Sequence, residues 1–133
     1  MFKLIKILSS GSNVPEPRKL PSAPEMTYKC GAALVLREGT VFNAMTDEVP
    51  VYICGENSSS GNPITCYPIT ADMIFETTIK GDPTNLYVGD KVKLAMDLGA
   101  AICVSDVTSG GFVTIYDLNG AKKSGDKIYV RFN

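Results

Sequence analysis

The stretch Gly89-Asp90-Lys91-Val92-Lys93-Leu94-Ala95-Met96 decides the fold class. Behind a Gly-Asp turn signal, Val92, Leu94 and Met96 fall on alternate positions, with Lys91, Lys93 and Ala95 on the others. A period of two is that of a half-buried β-strand, because successive side chains leave the backbone on opposite faces. Gly125-Asp126-Lys127-Ile128 repeats the layout near the end of the chain. In both places Gly permits the tight turn and Asp is expected to bond backbone amides two residues on. Lys then faces solvent while Val or Ile faces the core. Two similar corner turns explain the echo better than a paired carboxylate site.

The same reading extends outward. Ala33 to Leu36 and Thr40 to Asn43 flank Arg37-Glu38-Gly39, a short connection with a Gly suited to positive φ. Val51 to Cys54, Ile64 to Ile69, Met73 to Ile79, Ala100 to Val104, Gly111 to Tyr116 and Lys127 to Phe132 continue the series. No segment sustains a helical period. About nine short strands between turn signals predict an all-β domain, a small barrel or sandwich.

The N-terminal part differs. Phe2 to Leu8 reads as a strand, with Lys3 and Lys6 on its less buried positions. Ser9 to Glu25 then holds Pro15, Pro17, Pro21 and Pro24. Proline fixes φ and lacks an N–H, so this connector is expected to be extended and largely without a ladder. Connectors this long usually mark an arm or a functional loop. The chain therefore divides into a strand and proline-rich arm (1–25) and a β-barrel-like body (26–133). Either the arm strand closes its own body, or it adds to the sheet of another subunit. In the second case Phe2, Leu4, Ile5, Ile7, Val14, Pro15 and Pro17 carry the contact.

Composition narrows the chemistry. The 133 residues fit one domain, 44% are hydrophobic and 20% charged, and the formal net charge is −1. Nucleic-acid binding normally shows a basic stripe, but here the lysines are scattered, so no nucleic-acid partner is expected. No apolar run approaches the ~20 residues of a membrane-spanning helix. The sequence contains no histidine, which removes Ser-His-Asp and Cys-His catalysis and the His-containing zinc sites. Cys30, Cys54, Cys66 and Cys103 form no C-x-x-C pair. With no secretion signal ahead of them, they are expected to be free and mostly buried.

The remaining constellations favour structural roles. Asp72 and Glu76 would share a strand face ~13 Å apart, too wide to share a proton. Ser58 to Asn62 is Ser- and Gly-rich but leads into a strand, so no helix N-terminus waits for an anion. Asp47, Glu48, Asp82, Asp97 and Asp106 lack the spacing of a calcium loop. The six tyrosines are spread evenly, as suits core and rim. No catalytic, metal or cofactor site is expected.

Several stretches resemble a known family. The opening strand with NVPEP (Asn13 to Pro17), GAALVL (Gly31 to Leu36) and VPVYIC (Val49 to Cys54) is similar to small structural proteins of phage and prophage head modules in Gram-positive gut bacteria. PITADMIFET (Pro68 to Thr77), LYVGDKVKL (Leu86 to Leu94) and SGDKIYVRF (Ser124 to Phe132) add to the likeness. The family is the head decoration, or capsid-stabilising, type. The resemblance implies a non-enzymatic virion protein, made in the host cytoplasm, that binds the major capsid protein on the outer face of the shell, often as a homotrimer. Many identical weak contacts would then act together. The alternative is a free-standing binding module, an SH3-like or OB-like barrel that recognises a protein or polymer.

Overall fold

The structure is a computed structural model that describes residues 1–8, 15–58 and 61–133. Every regular element among them is a β-strand. These are β1 (Lys3–Ile7), β2 (Arg18–Leu20), β3 (Ala33–Arg37), β4 (Thr40–Asn43), β5 (Tyr52–Cys54) and β6 (Ile64–Pro68). The chain continues with β7 (Met73–Lys80), β8 (Lys91–Val92), β9 (Leu94–Asp97), β10 (Ala100–Ser105), β11 (Val113–Asp117) and β12 (Lys127–Phe132). Residues 9–14, Val14 among them, and the centre of the Ser58 to Asn62 loop lie outside the described residues.

Among the described residues twelve strands, rather than about nine, form two sheets packed as a sandwich. One runs β8-β11-β12-β7-β10-β9, with β1 also on β7; the other runs β2-β6-β5-β3-β4. The expectation of a barrel is corrected, because neither sheet closes. The stretch Lys91 to Met96 is where the first would have closed. Val92 pairs with Val113 at one edge of the sheet, and Leu94 pairs with Val104 at the other. Lys93 sits between them, donating to Val107 O at 3.1 Å and accepting from Ser105 N at 2.8 Å. The sheet is thus strongly curled, but its ladder breaks at this residue. In the second sheet a single bridge, Ser22 to Val41, touches the outer edge of β4.

The proline-rich arm also holds more ladder than expected. Arg18, Lys19 and Leu20 pair with Cys66, Thr65 and Ile64. Pro17 and Pro21 bracket these three residues, whose own amides remain free to donate. A strand interrupted so closely by proline is tolerated only at a sheet edge, where β2 lies.

The echo at Gly89 and Gly125 is structural. Asp90 N bonds to Tyr87 O at 3.0 Å and Asp126 N to Lys123 O at 3.2 Å, with the glycines at φ 95° and 94°. Positive φ at the third residue makes both type II turns. The aspartates reach backward rather than forward: Asp90 accepts from Tyr87 N at 2.9 Å, and Asp126 from Lys122 N at 2.9 Å. Lys91 and Lys127 are exposed, while Val92 and Ile128 are buried.

The core has two parts because the second sheet is covered on both faces. Ala33, Val35 and Ile53 face the first sheet and pack with Phe75, Val104, Ile115 and Val130. Leu34, Val41, Tyr52, Cys54, Ile64 and Cys66 face the opposite way and pack under Tyr28, Leu20 and Met26. The chain from Leu20 to Tyr28 is therefore a strap that seals the second layer. A small domain gains stability from this arrangement, because the extra layer buries apolar surface that a single-faced sheet leaves wet.

Candidate functional site

The predicted arm residues divide by depth. Phe2 is 3% exposed and meets Phe132 and Phe75 edge-on, at ring separations of 5.2 and 6.4 Å. Its N–H donates to Gly31 O at 2.8 Å. Leu4 and Ile7 pack half-buried on the same core, and β1 runs antiparallel to β7 from Lys3 opposite Glu76 to Ile7 opposite Met73. Ile5 points outward, Pro17 is exposed, and Pro15 is half-buried. The N-terminal strand thus belongs to its own body, with its outer edge unpaired among the described strands. Lys6 extends from it over the Tyr116 ring at 5.3 Å.

Beside β1 opens an apolar cleft of about 330 Å³, lined by Phe2, Leu4, Pro15, Ile53, Tyr67 and Pro68, with Cys30 and Cys54 in its wall. Pro68 also lines a shallow depression formed by Leu36, Val49 and Val51. The two share that one residue. Leu36, Val51 and Val49 are 44%, 45% and 61% exposed, so this strip is apolar and wet. Sequence reading missed it, because an exposed Val on a strand looks like any other Val until its neighbours are known.

The loop carrying Val49 is held in place. The Glu48 carboxylate accepts from Met45 N at 3.0 Å and from the Arg37 guanidinium, and these bonds hold it below the usual carboxylate range. Arg37 in turn stacks over the Phe42 ring at 5.2 Å. At the strip's far side, Glu56 accepts from Thr65 N at 2.8 Å and Lys19 Nζ at 2.9 Å. Hydrogen bonds from Thr65 and then Lys19 lower its pKa to about 2. This carboxylate clips β2 to the loop before β6.

A second apolar depression is lined by Met26, Met45, Met96 and Leu98. Leu98 sits at a hairpin tip with φ 51° and is 73% exposed, an unusual place for a branched apolar residue.

The other candidates do not converge. Asp72 accepts from the Thr70 hydroxyl just ahead of β7, whereas Glu76 pairs with Lys127 at 3.5 Å. Asp82 accepts from Thr84, and Asp106 accepts from Asp82 N. Among the described residues no three metal-ligating side chains gather. Cys54, Cys66 and Cys103 are buried free thiols, and Cys30 is a free thiol exposed to solvent. Burial pushes Cys54 and Cys103 up, and Cys66 up to about 12. Such thiols stay protonated and are poor nucleophiles. Of the tyrosines, Tyr28 and Tyr52 are core residues while Tyr67 and Tyr87 are exposed. The close ring pairs among the described residues are those of Phe2, Phe75 and Phe132. The chain matches no known family model and no curated protein.

Proposed function

We propose that this chain is a non-enzymatic structural subunit of a phage or prophage virion, a head decoration protein that assembles with itself and on the major capsid protein. The observation that carries the reading is the exposed apolar strip of Leu36, Val49 and Val51, which shares Pro68 with the apolar cleft beside β1. Contiguous apolar surface of this kind marks a contact site. Pinning of the Val49 loop by Glu48 and Arg37 lowers the entropy lost on docking. The motif resemblance supplies the class of partner, and the edge of β1 that no described strand pairs offers a further place for strand addition.

Cutting away residues 1–25 is a poor test, because it would remove Phe2 from the aromatic cluster and β2 from its sheet. Two introduced negative charges on the strip, Val49→Glu with Val51→Glu, leave the core alone. Light scattering on a sizing column should give three times the chain mass of 14.3 kDa for the unaltered protein and a monomer for the variant. Co-sedimentation with expanded capsids should likewise be lost in the variant. A chain that is monomeric and does not sediment with capsids sinks the proposal. The cleft of about 330 Å³ favours one second reading, a free-standing module that binds an apolar segment of a partner protein.

A further inference from the structure

Cys54 and Cys66 face each other across the β5–β6 ladder as register partners. Gly55 N donates to Thr65 O at 2.8 Å and Ile69 N to Val51 O at 3.0 Å. Those bonds flank the pairs Cys54–Cys66 and Tyr52–Pro68, which are therefore the non-hydrogen-bonded kind. In such pairs the Cα atoms lie ~4.5 Å apart and the side chains are closest. That spacing falls within the ~4.4–6.8 Å range a disulfide spans. Both sulfurs lie on the strap-covered face of the sheet, in one buried cluster. Each thiol rests on a backbone carbonyl, Cys54 on Glu56 O at 3.0 Å and Cys66 on Ile64 O at 3.6 Å.

A third thiol lies beside them. Cys30 is exposed and shares the wall of the apolar cleft with Cys54. The two backbones are tied next to it, Gly31 N donating to Cys54 O and Cys54 N to Ala32 O, both at 2.8 Å. Cys103 stands apart, in the first sheet, with its sulfur on Ala95 O.

The geometry points to a thiol–disulfide site in which Cys54 and Cys66 form a cross-strand disulfide, with exposed Cys30 as the entry for a small-molecule disulfide. The steps balance. The Cys30 sulfur attacks one sulfur of the small disulfide and one small thiol leaves. Cys54 gives up its proton and attacks the Cys30 mixed disulfide, releasing the second small thiol. Cys66 loses its proton, attacks the Cys54 sulfur, and returns Cys30 to the thiol. Two electrons and two protons pass from the protein to the oxidant. Burial keeps Cys54 and Cys66 protonated, which is why the exposed thiol starts the exchange. The product staples β5 to β6. This chemistry is independent of any assembly role.

The test is to incubate the folded full chain with oxidised glutathione, alkylate remaining thiols after denaturation, and map the peptides. The expected product carries a Cys54–Cys66 cross-linked peptide, the loss of about 2 Da that two departed hydrogens leave, and alkylated Cys103. Its thermal midpoint rises by about 5–10 °C over the reduced chain. Cys30→Ser, a change at an exposed position, slows cross-linking by about tenfold or more. Cys54 and Cys66 that remain alkylatable, or a stable Cys30–Cys54 product, overturn the site. A rate unchanged by Cys30→Ser overturns the entry role.

Discussion

Replacing Tyr28 by Phe isolates two hydrogen bonds at the seal of the second core. The Tyr28 ring is 1% exposed, and its hydroxyl accepts from Ala23 N at 2.8 Å and donates to Val41 O at 2.6 Å. In the two-residue hairpin from β3 to β4, Arg37 opposes Thr40, so Leu36 opposes Val41 as a non-hydrogen-bonded pair. The polar groups of Val41 therefore face away from β3, its N–H toward Pro21 O at 2.9 Å and its carbonyl toward the phenol. Phe keeps the ring packing but strands a buried N–H and a buried C=O. Each unsatisfied group costs roughly 1–3 kcal/mol, so the variant should lose about 2–6 kcal/mol. For a chain of this length that lowers Tm by roughly 6–24 °C. Tyr52→Phe is the control, because its hydroxyl accepts from Arg18 at a longer 3.3 Å, and about 0.5–1 kcal/mol should go. Paired thermal and urea unfolding would measure both. Burial also pushes the Tyr28 phenol above its ordinary 10.0, so its contribution persists below pH 10 and fades as pH rises through the higher folded value. Equal losses in the two variants would refute the strap as a hydrogen-bonded seal.

Three further outcomes follow from other contacts. Glu56 titrates near 2 against an ordinary 4.5, so its stabilisation is complete above pH 4.5 and disappears as pH falls toward 2. Glu56→Gln should be less stable than the parent at pH 7, and the two urea midpoints should converge at pH 2. Gly111→Ala would set a Cβ 2.1 Å from Lys91 O, a backbone atom that cannot step aside without parting β8 from β11. Its loss of about 1–3 kcal/mol by chemical denaturation should exceed that of Gly120→Ala, where the space is open and only φ +69° resists. Leu98→Asn relieves positive φ at an exposed tip and should raise stability by about 0.5–1 kcal/mol in the same assay.

What the sequence by itself determined is local. The alternation around Val92 and Leu94, the Gly-Asp turns before Lys91 and Lys127, and the Gly39 hairpin are written in neighbouring residues, because side-chain direction and positive φ are short-range properties. The lack of histidine likewise shaped the chemistry without any coordinates. Tertiary structure decided where those strands go. Lys91 to Met96 looks like one strand, yet its halves pair at opposite edges of a sheet, since each half takes the partner that long-range packing presents. Arg18 to Leu20 joined a ladder because β6 left an edge open, which no count of prolines reveals. The facing of Cys54 and Cys66, the packing of Phe2 against Phe75 and Phe132, and the union of Leu36, Val49 and Val51 into one apolar strip depend on register between distant segments. Register is set by which faces are buried together, and burial belongs to the folded whole rather than to any stretch of chain.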